Sequence, residues 1–535
     1  MSRNRYWTTL RHNGVVFAPP YVPKGLRLGY EGKDYRLSPQ AEEMAYAWAK
    51  KKDTNYVKDP VFVTNFMKDF RRQLPPELRD SPISKFDFSE FYAEVEREAQ
   101  LKLRLTTEEK KNLVQQRKQA RETLRQKYGY AEIDGQRVEI QNWVVEPPGI
   151  FMGRGAHPLR GRWKPRIEEK DITLNLDVSA SVPAGSWRKI VHEPKCMWLA
   201  CWEDKLSGKM KYVWPHESSF LAQKKNKIKY DKASKLGTSI VRIRKKIEQG
   251  LQAKDLQDRK IATVCYLIDK LCLRVGDEKD EDEADTVGAT TLRVEHVKLA
   301  RDSIKFDFLG KDSVRWLKVI EDVDRRVMRN LHEFVRGKNK DELIFDGVTS
   351  SKVNSFLGKI VPGLTAKVFR TYHATNVVRD YLWSVEEETL KGDADLNLYY
   401  AKMANLKAAI LCNHKRTPPK NWDKRIQKME EKLETLRLKQ PQMEKMIEVW
   451  KRRIRKAELA LEIAKLTKEY NLNTSLKNYI DPRVYVVWAR RVGMDLRVLY
   501  PKAMWRKFVW ANRSRLDWSA MAAAPKIQKR TGFKA

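Results

Sequence analysis

A phenol, a lysine ammonium and a pair of guanidinium groups are parts from which a phosphodiester can be cut without a metal. Such a cut needs a nucleophile, a proton donor for the leaving oxygen, and fixed cations around the oxygens of five-coordinate phosphorus. The 535-residue chain carries all of these side-chain types. Tyr479 stands in Asn478-Tyr479-Ile480-Asp481-Pro482-Arg483. There Asp481 and Pro482 read as N-cap and first helical residue, setting the phenol just ahead of a helix N-terminus, a position that favours anionic oxygen. Lys311 lies in Gly310-Lys311-Asp312-Ser313, the predicted tip of a hairpin, from which a flexible ammonium can reach into a groove. Each group also has a plainer explanation. One tyrosine among 20 is more often a packed aromatic, and a turn lysine is more often a solvated charge. A helix arginine commonly pairs with glutamate, and a lone histidine in an apolar helical setting is commonly structural.

The elements that would position these groups follow from periodicity and punctuation. Short extended segments precede Ser38-Pro39, which opens a helix; Phe86 to Lys127 predicts long helices ending at Tyr128-Gly129-Tyr130; and Ala131 to Pro215 predicts strands and loops. Basic helices are expected over Lys224 to Leu273, and strands over Thr290 to Val294 and Ser303 to Leu309. The second of these strands turns at Gly310-Ser313 into Val314-Leu317. Helices resume from Glu321 to about Asn413. Asn421 to Tyr470 holds charge on most turns, no glycine, and one proline, Pro441, which predicts an antiparallel helical hairpin joined at Lys439-Gln442. A small unit begins at Asn471, and the last twenty or so residues predict a basic tail. No repeat of fixed period occurs.

Lys and Arg outnumber Asp and Glu by 107 to 70, a formal charge of +37, so the chain needs an anionic partner. With 41% hydrophobic residues and 16 Trp it folds, unlike a disordered basic tail. Neither a membrane span nor a secretory leader is predicted, and an intracellular protein is expected. Cys196 and Cys201 could suggest half a zinc site, but no second pair stands at ligand spacing, so no structural metal is predicted. The acidic run over 277–283 predicts a solvated loop, because consecutive acids repel and no second cluster stands at hard-cation spacing.

Five blocks together carry a family resemblance. They are Lys270-Leu271-Cys272-Leu273-Arg274-Val275-Gly276; Phe306-Asp307-Phe308-Leu309-Gly310-Lys311-Asp312-Ser313; Leu364-Thr365-Ala366-Lys367-Val368-Phe369-Arg370-Thr371-Tyr372; Ile410-Leu411-Cys412-Asn413-His414; and Asn478 to Arg483. In that order they resemble the active-site blocks of eukaryotic type IB DNA topoisomerases. The likeness also runs through Val16-Tyr21 and Val145-Phe151, and so covers residues 5 to about 510.

The resemblance implies Tyr479 as the nucleophile that forms a 3′-phosphotyrosine, Lys311 as the general acid for the departing 5′ oxygen, Arg274 and Arg370 as clamps on the nonbridging oxygens, and His414 as a further donor to one of them. It implies DNA contacts at Arg154, Arg160, Arg162, Lys367, Asn478 and Asp312, and camptothecin-type poisoning at Asn478, Asp312 and Arg154. Two positions depart from the pattern. His373 stands where the family more often has Asn, bringing a second histidine near the site, and Met152 replaces a common Arg. The implied architecture is an α+β multidomain clamp with a mostly helical catalytic lobe and short antiparallel sheets. Its parts are a cap over 1–219, the catalytic lobe over 220–417, a helical-hairpin linker over 418–470 that is shorter than the family's, and a C-terminal domain over 471–535.

The implied activity is relaxation of supercoiled duplex DNA by a monomer, with neither ATP nor metal as cofactor, since the phosphotyrosine bond stores the energy for religation. A tyrosine recombinase is the main alternative, disfavoured by the cap blocks, the linker hairpin and Lys367, where recombinases usually have His. A catalytically inactive DNA-binding homologue is the other, disfavoured because all five catalytic positions are filled. The family default is the nucleus. The family commonly has a long lysine-rich N-terminal extension, and this chain begins almost at the cap, which leaves a truncated, a compact or a virally encoded form open.

Overall fold

The structure, a computed structural model, describes residues 5–276, 287–310, 314–385, 393–514 and 516. The acidic run, the tip of the predicted hairpin and nearly all of the predicted tail lie outside these. Among the described residues, those up to Ala222 form one compact unit and those from Gln223 onward form another.

In the first unit β1 (Leu10–His12), β2 (Arg27–Tyr30) and β3 (Lys33–Arg36) lead to α1 (Pro39–Ala49) and α2 (Pro60–Phe70). Then come β4 (Phe86–Asp87), α3 (Ser89–Arg104) and α4 (Thr107–Tyr128). The strands β5 (Tyr130–Ile133), β6 (Gln136–Glu139), β7 (Gly149–Ile150), β8 (Trp163–Lys164), β9 (Ile172–Asn175), β10 (Lys189–Val191), β11 (Ala200–Glu203) and β12 (Met210–Val213) follow. Local chemistry sets the helix starts. The Ser38 side chain accepts from the Ala41 N–H with Pro39 at the first position, and Asp59 does the same for Val61 and Phe62 ahead of Pro60. The expected long helices break between Leu105 and Thr106, because Thr106 and Glu109 form a reciprocal capping box that starts α4 afresh. The small sheets β1-β5-β6, β3-β2-β4, β7-β8 and β10-β9-β11-β12 are antiparallel except for the parallel β9–β10 pair. Two cores fill this unit, one with stacked Trp48, Phe66 and Phe70, the other around Trp7, Trp143, Leu174 and Trp202.

The second unit is mostly helical. It comprises α5 (Phe220–Gly250), α6 (Leu256–Leu271), the meander β13 (Val297–Leu299), β14 (Ser303–Gly310) and β15 (Val314–Glu321), then α7 (Arg325–Val335), α8 (Ser350–Ile360), α9 (Ala366–Trp383) and α10 (Ala394–Leu411). The hairpin α11 (Trp422–Leu438) and α12 (Glu444–Leu466) turns where Pro441 predicts, closing on Ile426, Leu433 and Leu461. Short helices α13 (Leu472–Asn478), α14 (Pro482–Arg491), α15 (Lys502–Lys507) and α16 (Val509–Asn512) end the described chain. Helix α9 serves two cores at once. Phe369 and Tyr372 pack with α5–α8 and the meander, whereas Ala374, Val378 and Leu382 pack with α10 and the C-terminal helices. Burial on both sides fixes the helix that carries Arg370.

One expectation fails. Thr290 to Val294 is not a strand; only Arg293 makes an isolated bridge, to Leu343, and the first strand of the meander begins at Val297. Thr290 instead spends its polar groups on another loop, its N–H donating to Val275 O at 2.7 Å and its hydroxyl to the Val275 and Gly276 carbonyls at 3.1 and 3.0 Å.

Candidate active site

That loop carries Arg274. Helix α6 ends at Leu271, and Cys272 turns the chain with a left-handed φ of 55°, a conformation non-glycine residues adopt only when their surroundings hold it. The next residues are then tied down by Thr290 and by the Ala289 N–H, which donates to Arg274 O at 2.9 Å. So placed, Arg274 donates from Nη1 to the Tyr479 hydroxyl at 3.1 Å.

Arg370 lies 5% exposed on α9. Its Nη1 donates to Cys272 O and its Nη2 to Cys412 O at 2.9 Å, so two loops from distant parts of the sequence are fastened to one guanidinium. The same group sits 5.0 Å from the centre of the Tyr479 ring. A buried guanidinium held by neutral carbonyls keeps uncompensated positive charge, which suits an incoming phosphate.

His414 follows α10 after Asn413, whose left-handed φ of 53° turns the chain and whose side-chain amide donates to Arg315 O on β15 at 3.1 Å. The His414 ring lies 4.9 Å from the Tyr479 ring; Nε2 is 3.4 Å from Arg370 Nη2, and Nδ1 is 2.6 Å from Ser475 Oγ on α13. Burial, then the charges of Arg370 and Arg274, pull its pKa from 6.5 down to about 3. The ring is therefore neutral, and because Arg370 can only donate, Nε2 accepts and Nδ1–H donates to Ser475. A serine hydroxyl can also donate, so Ser475 accommodates the other tautomer, in which Nε2 carries the proton. Nothing in the sequence marks Ser475: it is 61 residues from His414.

Tyr479 is the C-cap of α13 and 8% exposed. The Thr375 hydroxyl on α9 donates to Tyr479 O at 3.4 Å and accepts from the Asp481 N–H at 3.0 Å, while Asp481 caps α14 with Pro482 behind it, as its sequence predicts. Arg483 bonds Asp481 and reaches Asp231 on α5 at 2.7 Å. Asn478 is exposed beside the tyrosine, its carbonyl accepting from Lys229 on α5. Lys229, Thr375 and Ser475 are supporting residues that sequence inspection misses.

Arg274, Arg370, Cys412 and Asn413 line one small pocket together with Gly310 and Val314, the facing ends of β14 and β15. Lys311 and Asp312 lie between those ends and outside the described residues. Lys367 is exposed at the start of α9. His373, one turn beyond Arg370, is fully buried with Nε2 2.7 Å from Asp269 Oδ1, and Asp269 also accepts from Arg244 at 2.8 Å. Burial works against that carboxylate, yet His373 and Arg244 hold it well below the usual range.

In the first unit Arg154 is exposed, Arg160 pairs with Asp59, and Arg162 pairs with Asp69 at 2.7 Å. Gly161 between them has a φ of 92°, and a Cβ there would fall 2.1 Å from Phe62 O, so only glycine lets the two arginines straddle α2. Met152 packs against the stacked aromatic core. All five cysteines are free thiols, and no group of three or more His, Cys, Asp or Glu side chains gathers at metal-binding distance among the described residues. No helix among them is long and apolar enough to cross a membrane.

Three family models match the chain in order. The DNA binding fragment of eukaryotic DNA topoisomerase I matches residues 5–215, its catalytic core matches 218–447, and a C-terminal topoisomerase domain matches 451–520. The chain is 37% identical to DNA topoisomerase 1 beta of Arabidopsis thaliana, across 94% of this chain and 58% of that one. It is 36% identical to DNA topoisomerase 1 of Drosophila melanogaster, across 94% and 54%, and 34% identical to DNA topoisomerase 1 of Homo sapiens, across 94% and 70%. It thus spans less than two thirds of the Arabidopsis and Drosophila relatives. The chain belongs to the eukaryotic DNA topoisomerase I family.

Proposed function

We propose that this chain is a type IB DNA topoisomerase that relaxes supercoiled duplex DNA by cutting one strand, letting the free end rotate, and religating it. The observation that carries this is the gathering of the Tyr479 hydroxyl, two arginines and a neutral histidine, each held by backbone or hydroxyl partners, beside one pocket. The Tyr479 oxygen attacks phosphorus and gives its proton to solvent water, and the P–O5′ bond breaks. Phosphorus stays on the enzyme as a 3′-phosphotyrosine, and the 5′ oxygen leaves as a hydroxyl. Arg274 directs the phenol, Arg370 offsets the negative charge of the nonbridging oxygens, and His414 donates from Nε2 to one of them when Ser475 supports that tautomer. Lys311 gives its proton to the 5′ oxygen; its support is the family match and the position of Gly310 and Val314 at the pocket rim. Arg154, Arg160, Arg162, Lys367 and Asn478 touch the DNA, most through phosphates, and the charge excess supplies sequence-tolerant affinity. The nucleus is the proposed site of action.

Relaxation of a supercoiled plasmid in excess EDTA without ATP tests this. A ladder of relaxed topoisomers is expected. Joining of two duplexes at defined sites would identify a recombinase, and binding with no relaxation an inactive homologue.

A further inference from the structure

The linker hairpin leaves a cavity where it meets the helices beside it. Helix α10, helix α12 and the turn over 493–498 line an open-mouthed cavity of about 400 Å³, within the range of roughly 300–1,000 Å³ that small-molecule sites occupy. Leu398, Leu459, Ile463 and Met494 give it apolar walls. Its charged lining is unevenly matched. Asp395 accepts from Lys456 at 2.7 Å and lies 3.8 Å from Arg452, and Asp495 pairs with Arg497 at 2.9 Å. Both carboxylates thus have cations. Lys402, half-buried on α10, has neither a hydrogen bond nor an ion pair among the described residues. Burial, then the nearby Lys456, lowers its pKa from 10.5, so its ammonium sits there at a cost that an anion would remove.

We propose that this cavity binds a small organic anion with an apolar body and a single carboxylate, the carboxylate on Lys402 and the body against Leu398, Ile463 and Met494. One unmatched point charge suits a monoanion, and the walls reward burying an apolar body. Arg452 stands 3.8 Å from Asp395 on a mostly exposed side chain, so solvent screens its charge and Lys402 is the more buried cation that an anion would relieve. Because the ligand touches α10, α12 and the 493–498 turn together, its occupancy braces the linker hairpin against the helices beside it. The site shares no residue with the tyrosine pocket and does not depend on the topoisomerase assignment.

The test is calorimetric titration of the full chain, without DNA, using 2-naphthoate as probe and 2-naphthalenemethanol as its neutral counterpart. The parent is expected to bind the anion at least tenfold more tightly than the alcohol. Lys402→Met, which keeps the apolar stem, should weaken the anion at least tenfold and leave the alcohol within twofold. Ala460→Phe, a change at an exposed position of α12 that fills the cavity, should abolish both. Melting curves matching the parent's show that each variant is folded; should Ala460→Phe fail that check, Lys402→Met alone decides. No binding to the parent at millimolar probe overturns the proposal, as does binding of the anion to Lys402→Met with parental affinity, which would place it at another basic surface.

Discussion

The Tyr479 hydroxyl accepts a hydrogen bond from Arg274 at 3.1 Å across 205 residues of sequence. Neither residue holds the other alone. Arg274 rides a loop pinned by Thr290 and Ala289, and Tyr479 rides the α13–α14 corner pinned by Thr375. The pair is therefore set before any substrate arrives, which is how fixed geometry lowers a barrier without reorganisation.

Replacing Arg274 by Ala should slow single-turnover cleavage by roughly 10²–10³, the scale lost with one fixed donor to a developing anion. Lys in its place should recover little, because a point charge cannot serve phenol and phosphate together. DNA affinity, followed by anisotropy, should change less than about tenfold. A variant that cleaves normally would remove Arg274 from the chemistry.

His414 makes a pH prediction. Its folded pKa of about 3 lies below the ordinary 6.5, so between those values the unfolded chain binds more protons than the folded one. Stability is fully present above pH 6.5 and is lost as pH falls toward 3, by up to about 1.4 kcal/mol per pH unit from this group. His12, buried and lowered to about 4, adds to the same slope. Urea melts of the parent and His414→Gln from pH 7 to 4.5 should therefore converge as pH falls. Parallel curves would mean that His414 is not held neutral.

The buried Asp269 joins α6 to α9 through His373 and to α5 through Arg244. Asp269→Ala leaves both partners without their carboxylate and should cost about 3–5 kcal/mol in equilibrium denaturation. A loss under about 1 kcal/mol would show that the network is loosely held.

Much of this was legible in the chain. Ser38-Pro39 and Asp481-Pro482 start helices because a side-chain acceptor and a fixed proline φ act within a few residues. Pro441 breaks the α11–α12 hairpin for an equally local reason. What could not be read is non-local. The run Thr290 to Val294, with three β-branched residues, has strand propensity, but the Thr290 hydroxyl and N–H are claimed by the Arg274 loop, and tertiary demand outweighs propensity. Ser475, Thr375 and Lys229 look like any surface residues until folding brings them to His414, Tyr479 and Asn478. His373, expected near the site as a second histidine, is bound to Asp269.

Lys311 is the proposed proton donor, and a 5′ alkoxide leaves badly without one. Lys311→Ala should slow cleavage by about 10²–10⁴. A substrate with sulfur at the bridging 5′ position needs no proton on its leaving group and should restore fast cleavage to that variant. If the sulfur substrate left the variant just as slow, Lys311 would act through charge alone, with Lys367 the next proton donor to test.

The account stands on the Tyr479 phenol as nucleophile. Cleavage of a suicide duplex labelled at the 5′ end of its scissile strand, quenched in denaturant, digested, and mapped by mass spectrometry, should give one nucleotide-bearing peptide with the phosphate on Tyr479. Tyr479→Phe should give none while binding DNA within a few-fold of the parent. An adduct on any other residue, or one that persists in Tyr479→Phe, would contradict it.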